Sequence, residues 1–297
     1  MKSINRRQFL KTTAGFAGAL ALTSCASPLK KTAADQVLLG ATGLKISRLG
    51  IGCGTHGGRV QRDLGTDGFN SLIHYAFDHG ITYLDTADSY RTHPFIRDAI
   101  KGLPREKLFI LSKIGGRPEN PLQELDRFRQ ELGTDYIDCL LLHCKIEANW
   151  DETHERVMDA LEDAKAKGII RAHGVSCHSL PATTKAAQLD WVDVNLVRVN
   201  PQGNKIDTAD ERVFDQSTPD HLPPVLEQLA VMRENGHGII GMKIIGEGDF
   251  TDLDDRIKSM NFAMKPGLVD AVTIGVKSKA EIDEAIANMN NALALQS

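Results

Sequence analysis

The sequence predicts a (β/α)8 barrel. Three observations carry the prediction: about eight short apolar runs, a longer helical pattern after each, and no nucleotide-binding glycine fingerprint after the first run. The runs lie near 46–52, 82–88, 108–114, 137–144, 172–177, 192–200, 239–245 and 272–276. Helical periodicity follows near 67–79, 94–102, 119–132, 152–167, 180–189, 222–235, 253–264 and 279–293, several of these segments being introduced by Asp, Ser or Pro. A doubly wound sheet would want Gly-x-Gly-x-x-Gly opening a helix. Gly50-Ile-Gly52-Cys-Gly54 is glycine-rich, but Thr55-His56-Gly57-Gly58-Arg59 does not continue helically, so that alternative fails. The longest candidate loop, Pro201 to Asp220, is polar and follows a strand, which places it at the catalytic rim; loops of that length are functional lids or disordered connections, and here it is expected to close as a lid.

With 297 residues, 41% hydrophobic and 25% charged, the chain is long enough for one large barrel. A formal charge of −4, a pI near 6.2 and the lack of a basic stripe interleaved with aromatics argue against nucleic acid as a partner. The mature body carries Cys53, Cys139, Cys144 and Cys177 with no Cys-x-x-Cys pair, and Cys139 and Cys144 are placed by strict alternation on opposite faces of one strand. A disulfide framework is not expected.

The first 25 residues read differently. Asn5-Arg6-Arg7-Gln8-Phe9-Leu10-Lys11 precedes a small, apolar run from Thr12 to Leu22 and resembles a twin-arginine export signal, which implies the export machinery as a partner. A short amphipathic helix is the bland alternative, which Gly15 and Gly18 disfavour. Leu22-Thr23-Ser24-Cys25 resembles a lipobox, with Cys25 acylated after cleavage; an ordinary cut after Ala26 is the competing reading. The expected organisation is a signal over 1–25, a linker over 26–36 and a barrel over 37–297. No later run is long enough to span a membrane, so attachment would be by the signal or a lipid on Cys25, and the destination is periplasmic or cell-envelope.

Four chemistry-bearing side chains sit at or just after strand-like runs: Asp85 and Tyr90 in Thr82-Tyr-Leu-Asp85-Thr-Ala-Asp-Ser-Tyr90, Lys113 in Leu108-Phe-Ile-Leu-Ser-Lys113, and His143 in Ile137-Asp-Cys-Leu-Leu-Leu-His143. In a barrel the C-terminal strand ends form one rim, so these four converge. A free phenol has a pKa of about 10. An ammonium beside it favours phenolate, so Lys113 is expected to lower the Tyr90 pKa while Asp85 keeps Lys113 charged. His143 and Tyr90 can then share a carbonyl oxygen. Singly, each residue has an ordinary explanation: a helix cap for Asp85 or Asp88, a snorkelling Lys113, a packed Tyr90, a core His143.

This constellation resembles the aldo-keto reductases, whose tetrad is Asp, Tyr, Lys and His in this chain order. The likeness extends from Leu39-Gly-Ala-Thr-Gly-Leu-Lys-Ile-Ser-Arg-Leu-Gly-Ile-Gly52 to Thr273-Ile-Gly-Val-Lys-Ser278. It implies hydride exchange between a nicotinamide dinucleotide and an aldehyde, ketone or alcohol, with Tyr90 as proton donor. NADP is favoured over NAD on family grounds. The implied cofactor residues are Gly52, Ser176, Cys177, Met242, Lys243, Gly275, Lys277 and Ser278.

Several of those positions depart from the family pattern. Cys177 replaces the Asn that partners Ser176, Leu196 falls where a Gln is usual, and Met242 stands where an aromatic stacks on the nicotinamide. Near Glu281, where relatives that prefer the 2'-phosphate supply Arg, the charge is reversed and Lys277 and Lys279 are the cations. His56, Arg91, His93, Cys144 and Trp150 are expected to line the pocket, a polar set that suggests a polar or anionic substrate. Two rivals remain open: a zinc hydrolase or lyase using His143-Cys144 and Cys177-His178, and a non-catalytic nucleotide-binding redox sensor. No metal is assigned to the reductase reading.

Overall fold

In the computed structural model, which describes residues 30–213 and 216–296, the expected barrel is closed. Its eight parallel strands are β3 (Leu49–Gly52), β4 (Tyr83–Asp85), β5 (Phe109–Ile114), β6 (Ile137–Lys145), β7 (Ile170–Cys177), β8 (Val194–Arg198), β9 (Gly238–Met242) and β10 (Ala271–Gly275), with β10 pairing back onto β3. The major helices around it are α2 (Gly65–Asp78), α3 (His93–Ala99), α4 (Pro121–Leu132), α5 (Trp150–Ala166), α6 (Leu180–Gln188), α7 (Leu222–Glu234), α8 (Leu253–Ala263) and α9 (Lys279–Ala294); α1 (Arg59–Arg62) is a single turn. The predicted signal and lipobox lie outside the described residues.

The run expected over 46–52 is two strands. Lys45–Ser47 (β2) pairs antiparallel with Gln36–Leu38 (β1), and Arg48 separates β2 from β3. Leu39, Leu44 and Ile46 of this hairpin pack with Tyr83, Phe109 and Ala271 in the barrel-interior cluster, so the hairpin closes the end where the strands begin. Packing also starts before residue 37: Ala33 is buried, and its amide donates to Asn290 Oδ1 at 2.8 Å.

Side chains divide into two layers by the period of two along each strand. Leu111, Cys139, Leu141, Ala172, Val194, Leu196 and Ile240 face the barrel interior. Ile110, Leu140, Leu142, Val175, Val197 and Ile239 face the helices, whose inner stripes supply Leu125, Phe128, Leu161 and Leu229. Asparagine or serine caps several helices: Asn120, Ser179 and Ser278 each accept a backbone N–H in the first turn of α4, α6 and α9.

Gly174 marks the tightest strand approach. A Cβ there would lie 1.9 Å from Val194 O and 2.9 Å from Val194 N, both backbone atoms of the neighbouring strand. Gly174→Ala should therefore destabilise the fold by about 1–3 kcal/mol through overpacking, read as a lower urea midpoint with unchanged m value. An unaltered midpoint would mean that β7 and β8 can move apart freely.

Candidate active site

The rim is organised by an ion pair below its surface. Lys113 Nζ donates to Asp85 Oδ1 and to Thr86 O, each at 2.8 Å, and Tyr83 Oη donates to Asp85 Oδ2 at 3.0 Å. Lys113 is 1% and Asp85 5% exposed. Burial alone would push the ammonium pKa down, but Asp85 and Tyr90 favour the charged form and the net direction is up.

Tyr90 ends the 3-10 turn Asp88–Tyr90, with the Lys113 ammonium 5.1 Å from its ring centroid. Its hydroxyl lies 3.4 Å from His143 Nε2, and the rings meet edge-on. Gly54 makes room for the phenol: a Cβ there would be 2.4 Å from Tyr90 Cε2. Two arginines hold the turn, Arg62 at Tyr90 O and Arg127 at Asp88 Oδ1, the latter at 2.9 Å. The Tyr90 pKa differs from the sequence expectation. Burial raises it, Lys113 pulls it down and Asp85 pushes it up again, with a net rise above 10. Tyr90 is thus protonated at neutral pH, and Lys113 limits that rise without reversing it.

His143 is pulled down to about 3, first by burial and then by Lys113, Lys145 and Lys243. Neutral imidazole can donate from Nε2 if Nδ1, 3.4 Å from Ser89 Oγ, takes the acceptor role. Immediately after it β6 bulges: its register with β7 shifts between Leu142 and Lys145, and Cys144 has φ 59°. Strict alternation does not hold here. Cys144 Sγ reaches His178 Nδ1 at 3.2 Å, and His178 Nε2 lies 3.4 Å from Ser176 Oγ. The four cysteines of the barrel are free.

The predicted cofactor residues divide by where the backbone points them. Ser176 is paired in register with Leu196, whose side chain faces the barrel interior, while Met242 packs against that interior at the rim. Cys177 does not join them; its side chain is buried among the residues facing the helices, so it cannot take over the Asn contact beside Ser176. That placement also separates Cys177 from Cys144 and His178 in the zinc reading. Lys243, at φ 61°, donates to Glu247 Oε2 at 2.7 Å.

Gly52 and Gly275 face each other in register beside a cleft of about 530 Å3 lined by Thr55, Glu247, Arg256, Lys277 and Glu281. At the start of α9 the Ser278 hydroxyl accepts Glu281 N, and Glu281 Oε2 accepts Lys277 N at 2.8 Å. A carboxylate thus already occupies the helix-start position that suits an anion. Lys279 is directed over the Tyr75 ring, away from this cleft. Arg256, which sequence reasoning did not single out, supplies a cation instead, paired through two bonds with Glu284.

Two expected pocket residues are elsewhere. His93 is buried between Ser112 Oγ (2.8 Å) and Glu131 Oε2 (2.9 Å), and Trp150 is fully buried, its Nε1 donating to Ala182 O. Both begin helices whose inner faces pack on the barrel, which is why they turn inward. His56 does line the cleft, and Arg91 is exposed at φ 56°. Arg198 and Glu247 are further rim residues; the period of two from Leu196 could have placed Arg198, whereas nothing local marks Glu247.

The profile described as the Aldo/keto reductase family matches residues 48–291. The chain belongs to the aldo/keto reductase family. It is 32% identical over 183 residues to a probable aldo-keto reductase 1 of Glycine max, covering 53% of this chain and 51% of that protein. It is 33% identical over 155 residues to the uncharacterized oxidoreductase YqkF of Bacillus subtilis, covering 46% and 47%. The alignments thus span about half the length of these curated relatives. A solved putative aldo-keto reductase from Pseudomonas aeruginosa superposes with TM-score 0.69 at 24% identity, over 90% of this chain and 99% of that one. An aldo-keto reductase from Klebsiella pneumoniae in complex with NADPH gives 0.62 at 18%, over 87% and 89%. At these identities the structures show a shared fold.

A depressed histidine pKa has a fixed sign. His143 should remain neutral between pH 8 and 5, so its imidazole resonances should not titrate there. As pH falls below the ordinary value of about 6.5, protonation of the unfolded chain removes stability. A midpoint near 6.5 in the folded protein would contradict the assigned burial and positive surroundings.

Proposed function

We propose that this aldo/keto reductase family member is an NAD(P)H-dependent oxidoreductase that interconverts aldehydes or ketones and alcohols, with Tyr90 as the proton donor. The observation that carries the reading is the 3.4 Å approach of Tyr90 Oη and His143 Nε2 above the buried Lys113–Asp85 pair. One carbonyl oxygen can accept from both groups.

The residues fit a dinucleotide. The cleft beside Gly275, with the cations Arg256 and Lys277 in its lining, suits its adenosine phosphate end once Glu281 gives up the helix start, and Ser176 and Met242 suit its nicotinamide end. When bound, the nicotinamide supplies or accepts the hydride. The NADPH bound by the Klebsiella pneumoniae protein supports NADP, while Glu281 at the helix start keeps NAD a close alternative. The chain's own residues do the rest. Tyr90 and His143 orient the substrate oxygen, Tyr90 releases its proton to that oxygen, and the Lys113 ammonium stabilises the phenolate that remains.

The twin-arginine pattern and Cys25 motivate an exported, lipid-anchored protein. Such an enzyme would carry its dinucleotide out of the cytoplasm, with the loop from Pro201 to Asp220 closing as a lid. Buried Ile206 and Asp207 tether part of that loop. Mass analysis of nucleotide copurifying with the exported protein tests this; nucleotide-free protein that exchanges NADPH faster than turnover contradicts it.

Tyr90→Phe should lower kcat about 100-fold with little change in nucleotide affinity. Full activity would assign the proton to another group. The double variant Lys113→Met/Asp85→Asn removes a cation that pulls Tyr90 down and a weaker carboxylate effect that pushes it up. The alkaline limb of the reduction profile should therefore move to higher pH; a downward move would overturn the role of Lys113.

A further inference from the structure

We propose that the barrel mouth contains an anion subsite centred on Arg198, and that the carbonyl substrate carries a carboxylate which this guanidinium binds. The inference rests on the oxidoreductase reading and adds the substrate class. Arg198 ends β8, two residues beyond interior-facing Leu196, and it is paired in register with Met242 at the rim. The period of two directs it into the barrel mouth.

Its side chain is 5% exposed, and a guanidinium has five N–H donors. Among the described residues it makes one hydrogen bond, from Nη2 to Val213 O at 2.8 Å. Nε is ion-paired with Asp207 Oδ1 at 3.6 Å, too far for a hydrogen bond, so neither atom has a hydrogen-bond partner. Asp207 is held by Thr183 of α6, which donates to Oδ2 at 2.8 Å. Buried donors ordinarily find partners, and the planar fork of arginine matches a carboxylate.

The surroundings favour an anion. Lys113, Lys145 and Lys243 all disfavour protonation of His143, and Arg198, Lys243 and Lys113 do the same at neighbouring His178. Of the carboxylates that act on Arg198, Glu247 accepts from Lys243 at 2.7 Å and Lys205 at 3.2 Å, while Asp207 gives Oδ2 to Thr183 and leaves Oδ1 paired with the Arg198 Nε at 3.6 Å, so one edge of the guanidinium has a counter-ion and the other faces the mouth. Cys144 faces His178 at 3.2 Å, and its thiol also feels the Arg198 charge.

A merely structural Arg198, bracing the loop through Val213 and Asp207, would not discriminate between ligands. The test is calorimetric binding of butanoate and of neutral butanamide to the full chain with saturating NADP. Butanoate should bind about 10-fold more tightly, as for a charge-assisted pair. Arg198→Met/Asp207→Asn, which strands no buried carboxylate, should reduce the ratio to about 1 in a protein that still unfolds cooperatively, and Arg198→Lys should give an intermediate ratio. Equal binding by the unaltered chain, a ratio that survives in the folded double variant, or methyl phosphate binding in preference to butanoate overturns the proposal. Turnover of succinic semialdehyde and pentanal with NADPH separates the two readings. If neither reacts while butanoate binding depends on Arg198, the oxidoreductase reading fails and the anion subsite stands. If pentanal reacts and butanoate ignores Arg198, the reverse holds.

Discussion

The buried contact between Asp85 and Lys113 is the constraint from which the rest of the rim follows. Two charges removed from water need every partner they can reach, and these have Thr86 O and the Tyr83 hydroxyl as well as each other. A buried pair of this kind contributes little net stability over an apolar pair, whereas losing one partner costs about 3–5 kcal/mol. Its value is electrostatic. A fixed ammonium below Tyr90 favours the phenolate form, and the same charge helps keep His143 neutral. One interaction thus acts in opposite senses on the two groups above it, favouring the charged form of the phenol and the neutral form of the imidazole.

The barrel makes this economical. β4, β5 and β6 are adjacent, so their ends deliver Asp85, Lys113 and His143 to neighbouring points, and the short turn after β4 folds Tyr90 back over them. Beyond His143 the bulge of β6 adds Cys144 to the mouth, opposite His178, and Arg198 closes the next strand but one. The mouth therefore has Tyr90 and His143 on one side and Arg198 with its Asp207 partner on the other, while the cleft beside β10 and α9 mixes Arg256 and Lys277 with Glu281 and Glu284.

The parts legible in the sequence were those set by repeating patterns. Apolar runs located the barrel strands, and position at a run's end gathered Asp85, Lys113 and His143. Where a local event breaks the pattern, the reading failed. Arg48 divides an apparent single strand, because β2 must turn back to the hairpin while β3 enters the barrel. At Cys144 a left-handed residue cancels the alternation that put it opposite Cys139. His93 and Trp150 were polar or amphipathic enough to suggest a pocket, but each finds buried hydrogen-bond partners. Arg256 was invisible because its approach to Glu284 is a contact between two helices. Lys113 was placed correctly and its influence on Tyr90 had the expected sign, but desolvation, which depends on burial, outweighed it.

The central claim is that Tyr90 and His143 hold a carbonyl oxygen while hydride reaches its carbon. The most direct measurement is isotopic: NADPH carrying deuterium at both C4 positions of the nicotinamide ring is incubated with the protein and an aldehyde in ordinary water, and the alcohol is analysed by mass spectrometry and NMR. The account predicts deuterium at the carbinol carbon and a solvent-derived proton on the oxygen. Alcohol formed without deuterium at that carbon, or no alcohol from any aldehyde with either nucleotide, would contradict it.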